Sequence, residues 1–248
     1  MWTFASLLPF RRTRRTAAEA WPRELPAVPG FDVAGACRPR HRRGGDFHAV
    51  FLPPGEGRVA IAVGDVAGHD ALAARLRRIA GRLLERRVAE AGALAPLFGA
   101  VNRELAPYMR GGRFMTLFLA VMDGASRSIH WISAGHGPVI AYDPVADGFG
   151  DVPGRDIPLG VDPEWRFHEM AHRGWPNGAL LVIGTDGIWE CRDPDGQMYG
   201  ADRLRSAVRA ASAQAAAGIV AAVMADLDLF RRGRPQEDDL TLLVIKAV

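Results

Sequence analysis

The chain has 248 residues, of which 48% are hydrophobic, so it can bury a substantial core and is not an intrinsically disordered protein. Its formal net charge is only +3, and no aromatic side chains are interleaved with its arginine clusters, which argues against a nucleic-acid-binding surface. Cys37 and Cys191 lie far apart and outside any Cys-x-x-Cys pattern, which argues against a disulfide framework and a zinc site. We therefore expect a cytoplasmic protein that binds no nucleic acid.

The first 25 residues predict an appendage to one folded domain at residues 26–248. Residues 2–10 are apolar and are followed by a cluster of four arginines. This run is too short to span a membrane, and its basic cluster follows it, which is the reverse of a secretory signal. An amphipathic helix that acts as a regulatory or dimerisation segment and a disordered terminus are equal alternatives for residues 1–25.

The first strands predict a hairpin that brings two aspartates together. Residues 31–37 predict one strand, and residues 46–52 and 58–65 predict two more, joined by a loop rich in proline and glycine. Asp65, which ends the third strand, is by itself equally well explained as a turn or helix cap. In an antiparallel hairpin, however, the start of one strand lies beside the end of the next, so we expect Asp46 beside Asp65. Two such carboxylates repel each other, and a divalent cation would relieve the repulsion.

Helix pairs and antiparallel strands account for the rest of the chain. Because strands and helices come in runs, with no βαβ alternation and no internal repeat, we expect an α+β fold built on antiparallel sheet. Helices are predicted at residues 71–90, 93–108, 201–211 and 213–229; strands are predicted at 114–122, 128–133, 179–185 and from 238 to the end; and a long loop with short strands is predicted at 143–163.

Aspartates recur at the ends of apolar strands. Asp186 follows the strand at 179–185, and Asp238 and Asp239 open the last strand, in the same setting as Asp46 and Asp65. Oxygen ligands without a histidine or cysteine cluster suit hard cations such as Mg²⁺ or Mn²⁺. Each aspartate alone is a weak signal, but their common setting predicts a divalent-metal site.

Six motifs follow one another along the chain: GGDF at 44–47, GDVAGH at 64–69, FMTLFLAVMD at 114–123, SAGH at 133–136, TDGIWE at 185–190 and DDLTLLVIK at 238–246. In this order they resemble the bacterial SpoIIE (sporulation stage II E) type of PPM/PP2C serine/threonine phosphatase. The resemblance extends over roughly residues 26–248, which is nearly the whole chain. It implies a PP2C-like α-β-β-α sandwich, in which two antiparallel sheets are flanked by helix pairs. It also implies two ions, Mn²⁺ or Mg²⁺, with Asp65 bridging both, the backbone carbonyl of Val66 as a further ligand, Asp186 and Asp238 on one ion, and Asp46 on the other directly or through water.

The resemblance further implies hydrolysis of phosphoserine or phosphothreonine by a water that the two cations activate, with no protein nucleophile. Domains of this type act in the partner-switching control of sigma factors, so the expected partner is a phosphorylated anti-sigma-factor antagonist of the STAS type. An upstream regulator or a homodimer contact is a further expected partner. Arg38, Arg42 and Arg43, just upstream of Asp46, are candidates to bind the substrate phosphate. A solvated charged surface explains them at least as well.

Several positions depart from the motifs of many bacterial relatives. His48 and Ala49 replace the last two residues of GGDFYD, while Ala67 and Asp70 replace serine and glycine in GDVSGHG. We expect Asp70 to cap the following helix rather than to bind metal, and His136 of the SAGH motif to have a packing role. These departures leave one alternative function, a catalytically weak or inactive PP2C-like binding module in a signalling pathway.

Overall fold

The protein is described here by a computed structural model covering residues 27–40, 45–68, 70–90, 92–137, 139–152, 154 and 156–248. The predicted appendage at residues 1–25, together with Arg42 and Arg43, lies outside the described residues. The strands are β1 (Phe31–Arg38), β2 (Asp46–Phe51), β3 (Arg58–Val66), β4 (Met115–Asp123), β5 (Ser128–Ala134), β6 (Val139–Asp143), β7 (Gly148–Asp151), β8 (Met170–Arg173), β9 (Leu180–Gly184) and β10 (Leu240–Ala247). The helices are α1 (Ala71–Glu90), α2 (Leu94–Leu105), α3 (Asp186–Trp189), α4 (Gly200–Ala211) and α5 (Ala216–Arg231).

The strands form two antiparallel sheets of five strands each. One sheet has the order β1-β10-β9-β6-β7 and is called the β10 sheet here; the other has the order β2-β3-β4-β5-β8 and is called the β3 sheet. The first and the last strand of the described residues lie in the β10 sheet, where β1 pairs with β10 along its whole length. The β3 sheet is built mainly from consecutive strands, because short loops connect β2 to β3 and β4 to β5.

Three hydrophobic layers hold the sheets and the helices together. Along β3, Ile61 and Val63 belong to the layer between the two sheets, while Ala60 and Ala62 pack with α1 and α2. Both faces of this strand are therefore buried, which explains its continuous apolar run. A third layer lies between the β10 sheet and helices α4 and α5. The fold is the predicted α-β-β-α sandwich of two antiparallel sheets flanked by helix pairs.

The element boundaries agree with the sequence prediction in most places, and the differences have local causes. The second predicted helix leaves the α conformation after Leu105 and continues as a 3₁₀ turn over Ala106–Tyr108, because Pro107 has no N–H to donate within an α-helix. Strands β6 and β8 were not predicted, and β8 is a short edge strand with largely exposed residues and no apolar alternation. None of the helices in the described part of the chain is both long enough and apolar enough to cross a lipid bilayer.

Candidate metal centre

The β2–β3 hairpin places two of the predicted aspartates opposite each other. Asp46, the first residue of β2, pairs with Asp65 near the end of β3, so the prediction that they lie side by side is confirmed. The next strand continues the row, because Thr116 on β4 lies opposite Asp65 and its hydroxyl accepts the Asp65 N–H at 3.3 Å. This end of the β3 sheet therefore presents two carboxylates and one hydroxyl in neighbouring strands.

The β10 sheet brings the remaining aspartates to the same end of the sandwich. Gly184 pairs with Leu242, so Asp186, just after β9, lies near the residues that precede β10. Asp239 connects the two sheets, because its Oδ2 accepts the backbone N–H of Asp46 at 3.3 Å. Its Oδ1 accepts the backbone N–H of Arg40 at 2.7 Å, and the side chain is buried. Asp239 therefore anchors the start of β2, while the neighbouring Asp238 is exposed.

Electrostatic repulsion within this group is strong. Burial, followed by repulsion from Asp46, Asp186, Asp238 and Asp239, raises the pKa of Asp65 to about 8. Burial also raises the pKa of Asp46 to about 7, although two hydroxyl hydrogen bonds act in the opposite direction. The pKa of Asp186 is raised by loss of solvation and by repulsion from Asp238. Asp46, Asp65 and Asp186 thus lie close enough to neighbouring aspartates for repulsion to oppose their ionisation.

The carboxylates do not form a finished metal cage. Within the described ranges, no three Asp, Glu, His or Cys side chains are arranged as a set of metal ligands. Asp186 instead accepts the N–H of Gly187 at 2.9 Å, and Asp238 accepts the N–H of Asp239 at 2.8 Å. Both side chains are exposed, so a change of rotamer would redirect them. The structure gathers the predicted ligands at one edge without converging them on one point.

The oxygens around Gly45 show whether the residues present would suit a divalent cation. A methyl group added to Gly45 would lie 2.4 Å from Asp65 Oδ1, 3.0 Å from the Val66 carbonyl oxygen and 3.2 Å from the Gly68 carbonyl oxygen. Three oxygens of the β3–α1 segment therefore face the same small space. Carboxylate and carbonyl oxygens are the ligands that hard cations prefer, so the donor set fits the Mn²⁺ or Mg²⁺ that the resemblance implies.

Asp70 has the predicted capping role. Its Oδ1 accepts the N–H of Ala73, the third residue of α1, at 2.9 Å, and this hydrogen bond lowers the pKa of Asp70. Its Oδ2 pairs with Arg113 Nη2 at 2.8 Å, and Arg113 Nη1 donates to the Ala67 carbonyl at 3.0 Å. Arg113 was not predicted. It ties the loop after Val66 to the segment that precedes β4.

Replacing Asp70 with alanine should lower the stability of the protein by about 1 kcal/mol, because α1 loses its N-cap. For a protein of this size, that loss corresponds to a decrease in Tm of about 2–4 °C. Asp70→Asn is the matched control, since asparagine caps a helix equally well but lacks the charge that pairs with Arg113. Equal melting temperatures for wild type and Asp70→Ala, measured by circular dichroism, would contradict the capping assignment.

Three further side chains, two predicted and one not, have their own partners in the structure. Arg38, a predicted phosphate ligand, forms an ion pair with Asp228 on α5 at 2.7 Å. His136 is buried as expected, which lowers its pKa to about 4, and its Nδ1 lies 3.2 Å from the Thr116 hydroxyl. Arg77 of α1 is buried and donates to the Asp46 carbonyl at 3.0 Å, a contact that the sequence did not predict.

The raised pKa values make a prediction about the metal-free protein. The folded state holds protons on Asp46 and Asp65 up to about pH 7 and 8, whereas the unfolded chain releases them near the ordinary value of 3.8. Between these limits the folded state binds more protons, so these two groups make the free energy of unfolding fall as pH rises.

Urea unfolding in EDTA measures this effect. We expect wild type to lose more stability than Asp65→Asn between pH 5 and pH 8, because the variant lacks one of the two titrating carboxylates. Comparing the two proteins cancels the contribution of histidines and of other carboxylates. A wild type that gains stability relative to Asp65→Asn over this range would contradict the assignment.

Comparison with known proteins adds independent information. The sequence profile of the family described as stage II sporulation protein E (SpoIIE) matches residues 55–248. The phosphoserine phosphatase RsbU of Bacillus subtilis (strain 168) is 22% identical over 223 residues, an alignment that covers 90% of this chain and 65% of RsbU. The chain thus spans slightly less than two thirds of the length of that relative.

Two solved structures have the same fold. The PP2C phosphatase domain of SpoIIE from Bacillus subtilis, solved with a fragment of its regulatory domain, has a TM-score of 0.74 at 20% identity, over 88% of this chain and 63% of that one. RsbX in complex with magnesium has a TM-score of 0.62 at 17% identity, over 88% of this chain and 96% of that one. At these identities the two structures establish a shared PP2C fold.

Proposed function

Because the chain belongs to the stage II sporulation protein E (SpoIIE) family, we propose that it is a metal-dependent phosphatase acting on phosphoserine or phosphothreonine of a small regulatory protein. One observation carries the proposal: aspartates from β2, β3 and the β9–β10 edge lie together, and burial and repulsion raise the pKa of Asp46, Asp65 and Asp186. The relative RsbU is a phosphoserine phosphatase, and RsbX was solved with magnesium, which supports the same chemistry.

Each residue of the proposed centre has a defined task. Asp65 would hold both cations from the end of β3, with the Val66 carbonyl as a further ligand. Asp186 and Asp238 would hold one cation from the other sheet, and Asp46 would serve the second, directly or through water. When bound, Mn²⁺ or Mg²⁺ lowers the pKa of a coordinated water and offsets the charge on the phosphoryl oxygens. The protein's part is to keep five oxygen donors at one edge of a rigid sandwich, so that substrate and water meet in a fixed orientation. No side chain is assigned as a nucleophile.

We propose a phosphorylated anti-sigma-factor antagonist of the STAS type as the substrate, with an upstream regulator or a homodimer contact as the source of control. Membership of the SpoIIE family supports this choice, as does the structural similarity to the RsbU and RsbW domains of Rv1364c from Mycobacterium tuberculosis. Arg42 and Arg43, which precede Asp46, remain the proposed phosphate-binding residues.

Phosphate release from a phosphoserine form of such an antagonist tests the proposal. The full chain is incubated with the phosphoprotein in Mn²⁺, in Mg²⁺ and in EDTA, with p-nitrophenyl phosphate as a second substrate. We expect release in either metal, none in EDTA, and recovery when metal is added back. Release that continues in EDTA, or no release from either substrate in any metal, would disprove the proposed function.

A binding module without activity is the second candidate. The exposed carboxylates of Asp186 and Asp238 accept hydrogen bonds from the backbone N–H of the residues that follow them, an arrangement that leaves the ligand set unassembled. Such a module would bind the phosphorylated antagonist and leave its phosphate in place. Stable complex formation in Mn²⁺ without phosphate release would favour this candidate over the enzyme.

A further inference from the structure

Each polar group of Asp46 except one side-chain oxygen, Oδ1, has a hydrogen-bond partner among the described residues. Its backbone N–H donates to Asp239 at 3.3 Å, and its carbonyl accepts from Arg77 at 3.0 Å. Its side-chain Oδ2 accepts the hydroxyls of Thr185 at 2.8 Å and Thr241 at 2.5 Å. Among the described residues, these hydrogen bonds reach Oδ2 and none reaches Oδ1. One carboxylate oxygen is therefore fixed, and the other is left to take a different partner.

The surrounding hydrogen bonds determine which way the two hydroxyls point. Thr185 Oγ1 accepts the backbone N–H of Thr241 at 3.1 Å, so its single proton is directed to Asp46. Thr241 Oγ1 has two acceptors within reach, Cys37 Sγ at 3.5 Å and Asp46 Oδ2 at 2.5 Å. Sulfur is a weak acceptor, so the shorter contact to the carboxylate oxygen takes the single Thr241 proton. Both threonines are consequently donors to Asp46 Oδ2.

Both threonines are buried, and both belong to the sheet opposite the one that contains Asp46. Their exposed fractions are 1% for Thr185 and 0% for Thr241, so neither hydroxyl has water as an alternative partner. Thr185 directly follows β9 and Thr241 lies within β10, and both strands are in the β10 sheet. The backbones of the two threonines already pair, because Thr185 N–H donates to the Thr241 carbonyl at 3.1 Å. The Thr185 hydroxyl also accepts the Thr241 N–H, whereas the Thr241 hydroxyl takes no part in this backbone pairing.

We propose that Thr185 and Thr241 are positioning residues that orient Asp46 so that Oδ1 faces the cation. This inference rests on the proposed function, because it assumes a metal at the aspartate edge. Hydrogen bonds from outside the ligand shell fix the orientation of a ligand, and their loss typically weakens metal binding by about 10–100-fold. A carboxylate freed from both hydroxyls would sample orientations in which neither oxygen faces the cation.

Calorimetric titration of the full chain with Mn²⁺, without substrate, tests the proposal. Thr185→Val and Thr241→Val should each bind Mn²⁺ at least about tenfold more weakly than wild type, because valine keeps the shape and removes the donor. Thr185→Ser and Thr241→Ser restore a hydroxyl and should bind with nearly wild-type affinity. Ser128→Ala is the matched control, since this buried hydroxyl lies on β5 at the other end of the β3 sheet and should not affect binding.

The possible results separate this proposal from the proposed function. Folded valine variants that bind Mn²⁺ as tightly as wild type would overturn the positioning role and leave the phosphatase proposal intact. A wild type that binds no Mn²⁺ would overturn both. Where a valine variant does not fold in EDTA, as judged by thermal unfolding, the alanine and serine variants of the same threonine replace it. Equal affinities for that pair would overturn the proposal, whereas a gap of about tenfold would support it.

Discussion

Asp65→Asn should reduce phosphoprotein hydrolysis about a thousandfold or more, which corresponds to about 4 kcal/mol of transition-state stabilisation. Asp65 is repelled by all four neighbouring aspartates. Together with burial, this repulsion raises the pKa of Asp65 to about 8. Asparagine has the same shape but lacks the charge that would balance two cations. The rate is measured with the phosphorylated antagonist in saturating Mn²⁺.

The same substitution should leave the metal-free protein as stable as wild type or more stable. Removing one carboxylate relieves repulsion at the aspartate edge, so we expect Asp65→Asn to keep or raise its Tm in EDTA. Loss of activity combined with unchanged or higher stability separates a role in metal binding from a role in folding. Asp123→Asn is the matched control, because Asp123 ends β4 at the opposite end of the sheet and pairs with Arg58. Wild-type activity in Asp65→Asn would refute the assignment.

Sequence patterns predicted the parts of the fold that depend on local structure. The strand predicted at 58–65 corresponds to β3, and α1 begins and ends where the sequence predicted, with Asp70 as its cap. The placement of Asp46 opposite Asp65 followed from hairpin geometry, which needs only two adjacent strands. Such features are set by neighbours in the chain, so a single sequence is sufficient to predict them.

Contacts between the two sheets were not predictable in this way. Thr185 and Thr241 are within one to three residues of predicted ligands, in TDG and DDLT, but their shared target is Asp46 in the other sheet. The resemblance likewise assigned Asp238 as a metal ligand and gave no role to Asp239. Only the packing of β10 near β2 makes Asp239 a buried anchor for backbone N–H groups and leaves Asp238 exposed. These roles depend on how the two sheets pack against each other. The periodicity of the strands in the sequence does not predict that packing.

Gly45→Ala should weaken Mn²⁺ binding by at least about tenfold, an effect comparable to the loss of a positioning hydrogen bond. The backbone at Gly45 does not adopt a left-handed conformation, so alanine is not excluded by strain there. Space is the constraint, because the added methyl would lie 2.4 Å from Asp65 Oδ1 and 3.0 Å from the Val66 carbonyl. The Val66 carbonyl is fixed in β3, so the Asp65 side chain must move away from the place where a cation would be held.

Calorimetry with Mn²⁺ and unfolding in EDTA distinguish this effect from general damage. Overpacking a well-filled site costs about 1–3 kcal/mol, so some loss of stability is expected for Gly45→Ala. Gly150→Ala is the matched control, because Gly150 lies in strand β7 and its added methyl would meet no atom within 4 Å. The control should bind Mn²⁺ normally. A Gly45→Ala protein with wild-type affinity for Mn²⁺ would mean that the Asp65 carboxylate does not need its present position, and the assignment of the oxygens around Gly45 to the metal centre would be wrong.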